Sequence, residues 1–253
     1  MRSGRVWRCR WRVGYCPPMT EQTLRPLDAA TAKGIARAFL PAHVLGNRYD
    51  YYYTLAKLRT DPLYPGVLDA LRGCEAPLLD LGCGLGLLAH ALRADGQTMP
   101  YLGVDIDAPK IERARRIAGQ SALADAHFEV VDLARGYPPH SGSVAILDVL
   151  QFLTREQQAT LLDAAIAMLA PGARLVMRAA LDDGGARIRR TRAGDRFAAL
   201  TGRMPDRPKH YPTLAELRAR FDAAGLAVDI RPWFGNTPFN NWLVVAQQPA
   251  APG

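Results

Sequence analysis

One stretch of twelve residues, 78–89 (LLDLGCGLGLLA), constrains the fold more than any other part of the chain. The apolar run at its start indicates a buried strand, and the apolar residues at its end indicate a helix. Between them Gly82, Gly84 and Gly86 stand at alternate positions, which is typical of a tight turn. Glycines let a ligand approach the backbone closely, and a helix start offers unpaired N–H donors. The stretch therefore predicts a strand, a turn and a helix N-terminus, either as a ligand site or as a plain glycine-rich turn.

The residues around the glycines decide between these interpretations. A dinucleotide-binding fingerprint would place its third glycine at position 87, where this chain has Leu87. Instead Asp80 precedes a G-x-G-x-G run, and the next strand-like segment, residues 101–104, leads into Asp105. Together the two motifs resemble those of a class I S-adenosylmethionine-dependent methyltransferase, over about residues 45–248.

The resemblance implies S-adenosylmethionine as the cofactor, bound by residues at the ends of successive strands. In the family, the acidic residue at the position of Asp105 accepts from the ribose hydroxyls, and the one at Asp132 accepts from the adenine amino group. Asp132 could instead be a turn aspartate. The implied cofactor-binding residues are Asp80, Gly82, Cys83, Gly84, Gly86, Asp105, Ile106, Asp132, Leu133 and Asp148.

Strand-like and helix-like segments alternate along the rest of the chain, which predicts right-handed crossovers and a mostly parallel sheet. Ligands then bind at the C-terminal edge of the strands. The resemblance implies a three-layer α/β, Rossmann-like fold whose seven strands run in the order 3-2-1-4-5-7-6, the last one antiparallel, with an N-terminal helical lid. Locally, Thr154 with Gln157 and Thr213 with Glu216 form the sequence pattern of helix capping boxes.

The chain divides into three predicted parts. Residues 1–18 carry five arginines and no acidic residue, and we interpret them as a disordered extension ahead of a native start at Met19. Contact of this extension with nucleic acid or lipid is the alternative. Residues 19–72 form a predicted helical cap, and residues 73–248 form the cofactor-binding domain with a basic insertion at about 182–212.

Within the cap, Tyr49 and Tyr53 are four residues apart and would share one helix face. Either tyrosine, or Arg48, could therefore line the pocket. Alternatively, the tyrosine rings pack against the sheet with their hydroxyls at the surface.

The basic insertion concentrates positive charge near the predicted pocket. The chain has a formal net charge of +8, and residues 187–209 hold eight basic and two acidic side chains. A solvated loop is one interpretation, because charge runs usually face water. The other is recruitment of a carboxylate, a phosphate, a coenzyme A thioester or an acidic carrier protein, with Arg189, Arg190 and Arg192 as contacts.

The sequence favours a small-molecule or carrier-bound acyl or aryl acceptor, which the basic charge suggests is anionic. Enzymes that methylate exocyclic base nitrogens or glutamine amides carry [N/D]-P-P-[Y/F] after the fourth strand, where this chain has residues 148–151 (DVLQ). Cytosine C5 chemistry would need a nucleophilic cysteine near the same edge, and none follows Cys83. An RNA methyltransferase, suggested by the sequence pI of about 9.6, and a non-catalytic cofactor-binding partner subunit remain alternatives.

Catalysis would require close positioning of the two reactants and, for some acceptors, a base that removes a proton. The candidate catalytic residues are His210, Tyr211 and Gln151, the last bordering the transferred methyl group together with Asp148. No metal is expected, because the four cysteines lack zinc-ligand spacing with histidines. No apolar run reaches the length of a membrane span, and a reduced, cytoplasmic setting fits this composition. The oligomeric state stays open.

Overall fold

The computed structural model describes residues 25–43, 45–200 and 207–248. The predicted basic extension, residues 1–18, lies outside this part of the chain. The described helices are α1 (Ala29–Ala36), α2 (Tyr49–Thr60), α3 (Leu63–Leu71), α4 (Leu87–Ala94), α5 (Ala108–Gln120), α6 (Arg155–Ala167), α7 (Ala186–Leu200) and α8 (Leu214–Ala223). The strands are β1 (Leu78–Leu81), β2 (Tyr101–Asp105), β3 (Ala126–Val130), β4 (Ser143–Leu147), β5 (Arg174–Ala180), β6 (Ala227–Pro232) and β7 (Asn241–Gln247).

The strands form one sheet in the order β3-β2-β1-β4-β5-β7-β6, which confirms the predicted topology. Strands β1 to β5 pair in parallel, and β7 runs antiparallel to both β5 and β6. The carboxyl ends of the first five strands therefore meet at one edge of the sheet, where parallel sheets bind ligands.

Two hydrophobic cores, one on each face of the sheet, give the fold its three layers. One contains apolar residues of α1, α3, α4 and α5, and the other those of α6 and α8. Alternation along β1 sends Leu78 to the first core and Leu79 and Leu81 to the second. Asp80 lies between the two leucines on the strand and is almost completely buried.

Helix ends agree with the local sequence signals. Both capping boxes are present, with the Thr154 and Thr213 side chains each accepting a backbone hydrogen bond at the start of α6 and α8. Asp107 caps α5 by accepting from the backbone N–H of Lys110. None of the helices in the described ranges is long and apolar enough to cross a membrane.

The basic insertion departs from the loop interpretation, because residues 186–200 form helix α7. Its buried face carries Ile188, Thr191 and Asp195, which are spaced by three and four residues as a helix requires. Two of these three residues are polar, so the face gives no apolar periodicity in the sequence.

Candidate active site

The glycine turn after β1 has the conformation that its sequence predicts. Gly82 and Gly84 have φ values of +86° and +57°, a region that residues with a Cβ rarely adopt. A Cβ at Gly82 would lie 2.3 Å from a methyl carbon of Val149, whereas a Cβ at Gly84 would meet no atom within 4 Å. Gly84 therefore leaves backbone open to the cavity that it lines, as a closely approaching ligand requires.

The carboxylate of Asp105, at the end of β2, is held by two backbone donors. The N–H of Gly84 donates to Oδ2 at 2.9 Å, and the N–H of Asp107 donates to Oδ1 at 3.0 Å. Each oxygen keeps a further lone pair for another donor. The neighbouring Ile106 side chain is 66% exposed, which leaves an apolar surface beside the carboxylate.

Helix α2 crosses the C-terminal edge of the sheet and covers a cavity beside the glycine turn. Five of the predicted cofactor-binding residues line this cavity: Asp80, Gly82, Cys83, Gly84 and Asp148. Helix α2 contributes Tyr53, Thr54 and Lys57, and α3 contributes Tyr64. The structure thus brings half of the predicted set into one cavity and adds four polar residues to it.

Asp80 is the most perturbed acid of this cavity. Burial raises its pKa to about 7, despite a hydrogen bond that the Tyr101 hydroxyl donates to its Oδ2 at 2.6 Å. The nearby carboxylate of Asp105 also raises it. The second oxygen, Oδ1, is buried without a hydrogen-bond partner among the described residues. An ionised Asp80 would therefore be stabilised by a donor or a cation in the cavity.

The thiol of Cys83 lies in the same cavity but is poorly suited to act as a nucleophile. Burial and the carboxylates of Asp80 and Asp105 all raise its pKa above the usual range. Because the thiolate is the nucleophilic form, the neutral thiol at this position serves as a packing group.

A network of buried charges joins α2 to the ends of β4 and β5. The guanidinium of Arg178 on β5 forms a two-point ion pair with Asp148 and a second ion pair with Asp61, just after α2. The ammonium of Lys57 lies 3.5 Å from Asp148 Oδ2. Burial alone would raise the pKa of Asp148, but the two cations lower it to about 2. Asp148 therefore stays ionised and also adopts a left-handed backbone, with a φ of +62°.

At its other end, α2 is attached to α5. The carboxylate of Asp50 lies 3.6 Å from Arg113 Nε. Tyr49 and Tyr53 share a face as predicted, with their rings stacked at a centroid distance of 6.0 Å. Tyr53 borders the cavity, whereas Tyr49 is 66% exposed.

The remaining predicted cofactor residues do not line the cavity. Gly86 occupies the N-cap position of α4. Asp132, beyond the end of β3, accepts a hydrogen bond from the N–H of Ala134 at 2.9 Å and lies 3.4 Å from Arg135 Nε. This is the geometry of the turn aspartate that the sequence left open. Leu133 packs against the second core.

The three candidate catalytic residues lie close together, because the backbone before Tyr211 is hydrogen-bonded to Gln151. Gln151 donates from its side chain to the carbonyl of Asp148 at 3.0 Å, and its Oε1 has no partner among the described residues. Its carbonyl accepts from the N–H of Lys209 at 2.6 Å and that of His210 at 3.4 Å. The Tyr211 hydroxyl donates to Asp195 at 2.6 Å.

These contacts place a second, basic cavity of about 420 Å³ next to Gln151. Its lining consists of Arg192, Arg196, Arg207, Pro208, Lys209, His210 and Tyr211. Of the three arginines predicted as contacts, only Arg192 lines this cavity, and it also forms an ion pair with Asp182. Arg189 instead donates to the carbonyl of Gly184. Within the described ranges, no group of three or more histidine, cysteine or acidic residues could hold a metal ion.

Sequence reasoning missed Lys57, Thr54, Asp61 and Arg178. One signal was available for Arg178, because a charged residue inside an apolar strand must have a partner. Its partners, however, come from α2 and the end of β4 and carry no local signal.

A seven-stranded sheet of this order, with a glycine turn after β1 and a carboxylate at the end of β2, defines the class I methyltransferase fold. Residues 78–172 match the family model described as a methyltransferase domain. This match and the fold identify a methyltransferase domain of class I fold that includes residues 78–172, and they indicate S-adenosylmethionine as its cofactor.

Several solved methyltransferase structures have the same fold as this chain. Magnesium protoporphyrin IX methyltransferase from Synechocystis PCC 6803, solved with bound SAH, is 17% identical with a TM-score of 0.59, and the match covers 84% of this chain and 92% of that one. An O-methyltransferase family protein from Burkholderia thailandensis is 18% identical with a TM-score of 0.58; the match covers 80% of this chain and 61% of that one. A putative methyltransferase from Haloferax volcanii, solved in complex with the Trm112 methyltransferase activator, is 17% identical with a TM-score of 0.53. The match covers 74% of this chain and 90% of that one. At these identities the likeness concerns the fold.

Proposed function

We propose that this enzyme methylates an anionic small-molecule or carrier-bound acyl or aryl acceptor that binds in the basic cavity. The observation that carries the proposal is the lining of that cavity, which includes three arginines and one lysine next to Gln151. Arginine forks bind carboxylates and phosphates through two hydrogen bonds, which favours an acceptor with such a group.

The cofactor-binding residues form the other half of the proposed site. Gly82 and Gly84 would lie against the cofactor, Asp105 would accept from its ribose, and Ile106 would contact its adenine ring. The open side of Gly84 and the unpartnered oxygen of Asp80 fit a ligand that carries both a backbone-contacting portion and a cationic group. The cofactor supplies an electrophilic methyl group when bound.

The chain itself would hold the acceptor in line with that methyl group and exclude water, which accounts for most of the rate enhancement of such a displacement. His210 is the proposed base for acceptors that lose a proton. Its Nε2 lies 3.9 Å from Glu216 Oε2. A hydrogen bond from the backbone N–H of Thr213 lowers the pKa of Glu216, so a carboxylate lies beside the imidazole.

The described part of the predicted cap, residues 25–43 and 45–72, is proposed to cover this site. The ion pairs of Asp50 and Lys57 at the two ends of α2 support this role, as does the position of Tyr53 at the cavity.

The first test is a methylation assay with labelled cofactor and small-molecule, protein and RNA fractions of a cell extract. Label in a small molecule or an acyl carrier supports the proposal, and label in RNA would refute it. Phe197 is the one aromatic residue between positions 187 and 209, whereas single-stranded RNA sites interleave several aromatics with arginines.

The second test compares two exposed arginines of α7. Arg196→Glu alters the cavity, whereas Arg190→Glu changes the same charge on the same helix outside it. We expect Arg196→Glu to raise the KM for the acceptor in a salt-dependent manner and to leave the cofactor affinity unchanged. Arg190→Glu should raise the KM for the acceptor much less. If both variants raised the KM equally, the effect would come from the net charge of the surface and not from a contact in the cavity, which would contradict the proposal.

A further inference from the structure

The hydroxyl of Thr54 on α2 makes no hydrogen bond to the part of the chain that the structure describes. The residue is fully buried, lines the cofactor cavity, and its Oγ1 has no partner among the described residues. Thr60, Thr160 and Thr191 in other helical positions all donate to the carbonyl four residues earlier, at 2.8–3.1 Å. Such a bond is the usual way to satisfy a helical threonine. Thr54 thus leaves a polar atom at the cavity wall for another partner.

Lys57 lies one turn later on the same side of α2 and lines the same cavity. Its side chain is about one quarter exposed, and its ammonium is 3.5 Å from Asp148 Oδ2. An ammonium has three N–H donors, so its ion pair with Asp148 leaves donors of Lys57 for a further acceptor. Burial would lower the pKa of Lys57, but Tyr64 and Asp148 outweigh it and raise the pKa, so the side chain stays cationic.

Asp80 borders the cavity from the β1 side, and its Oδ1 has no hydrogen-bond partner within the described ranges. The cavity therefore has a cation and a hydroxyl on the α2 wall and a carboxylate on the β1 wall. A ligand group with a carboxylate and an ammonium on one carbon, the end group of an amino acid, matches this distribution of charge.

We propose that Thr54 and Lys57 of α2 bind the carboxylate of the amino-acid portion of the cofactor, while Asp80 accepts from its ammonium group. The proposal rests on the assignment of S-adenosylmethionine as cofactor. It extends the cofactor site to a helix outside the matched methyltransferase domain at 78–172. Helix α2 would then both cover the cofactor and hold its charged end.

Three ligands separate this role from a structural one. S-adenosylhomocysteine carries the carboxylate and the ammonium, its decarboxylated analogue keeps only the ammonium, and 5′-methylthioadenosine has neither. Calorimetry should show that Thr54→Val and Lys57→Met each weaken S-adenosylhomocysteine binding at least tenfold, as loss of a hydrogen bond to a charged group implies. Both variants should bind the other two ligands within about twofold of wild type, since neither analogue offers a carboxylate.

Matched controls keep the test decisive. Thr54→Ser retains the hydroxyl and should bind S-adenosylhomocysteine like wild type. Thr60→Val, on the same helix, removes a hydroxyl that is bonded to the Ala56 carbonyl and should have no effect on binding. Thr54→Val is nearly isosteric, so it tests the proposal even if Lys57→Met unfolds the protein.

Unchanged affinity of Thr54→Val for S-adenosylhomocysteine would overturn the proposal. Equal weakening for all three ligands would also overturn it, because this would assign a purely structural role to the hydroxyl. If the wild-type protein bound none of the three ligands, the cofactor site itself would be refuted.

Discussion

Arg178 offers the sharpest test of how the site is built. Its side chain is 3% exposed and neutralises two carboxylates, Asp148 and Asp61. Arg178→Met keeps most of the volume and leaves both carboxylates partly buried without that partner. Loss of one partner of a buried pair costs about 3–5 kcal/mol of the free energy of unfolding. For a chain of this size, each kcal/mol lowers Tm by about 2–4 °C, so the expected decrease in Tm is about 6–20 °C.

The pH dependence of this loss has a definite sign. The pKa of Asp148 is lowered to about 2 in the folded protein, so its contribution to stability is present above the unfolded value near 4 and is lost between about pH 4 and pH 2. In Arg178→Met, Asp148 keeps only Lys57 as a neighbouring cation and would become protonated at a higher pH, which relieves part of the destabilisation. The difference in stability between variant and wild type should therefore be largest near pH 7 and shrink towards pH 3.

Urea unfolding monitored by circular dichroism at pH 7, 5 and 3 measures this difference. The double variant Arg178→Met with Asp61→Asn should be more stable than Arg178→Met alone, because Asp61 loses its ion-pair partner in the single variant whereas Asp148 keeps Lys57. A loss below about 1 kcal/mol, or one that does not change with pH, would refute the reasoning that buried charge attaches the α2 end to the sheet.

Three further predictions concern cofactor binding. Asp80 has a pKa of about 7 in the free protein, so the affinity for S-adenosylhomocysteine, whose ammonium binds the ionised form, should fall about tenfold from pH 8 to pH 6. Calorimetry should show that Asp80→Asn binds more weakly and without this pH dependence, and a persistent slope would assign the proton to another group. Gly84→Val should lower stability by only about 1–2 kcal/mol through its positive φ, yet abolish cofactor binding by filling the open side of the turn; normal binding would place the cofactor elsewhere. Asp105→Ala should weaken S-adenosylhomocysteine and 5′-methylthioadenosine to the same extent, by tenfold or more, since both carry the ribose. If the same titration showed that Asp105→Ala loses affinity for only one of these two ligands, the ribose assignment would be contradicted.

Local sequence signals determined much of this protein. The turn at residues 82–86 needs positive φ values that glycine adopts without strain, so its motif alone placed a strand before it and a helix after it. Helix starts at Asp107, Thr154 and Thr213 were equally readable, because a capping side chain bonds to backbone only two or three residues away. The strand order required the resemblance to a family as well.

Helix α7 could not be predicted from local sequence signals. The sequence around it has charges on every turn, and its inward face is formed by one apolar and two polar residues, Ile188, Thr191 and Asp195. Hydrophobic periodicity, the main sequence signal for a helix, is therefore absent. Polar partners from elsewhere in the fold, such as the Tyr211 hydroxyl on Asp195 and the Asn240 N–H on Thr191, make that face possible.

The second half of the candidate site was decided by tertiary structure alone. Arg178 contacts Asp61 across 117 residues and Asp148 across 30 residues of sequence. Thr54 and Lys57 reach the glycine turn only because α2 crosses the sheet edge. Packing shifts the pKa values of Asp148 and Lys57 by bringing opposite charges together, and it leaves the Thr54 hydroxyl buried without a partner among the described residues. The sequence shows which residues can carry charge. Water is excluded from those charges, and their interactions become strong, only when distant segments pack together.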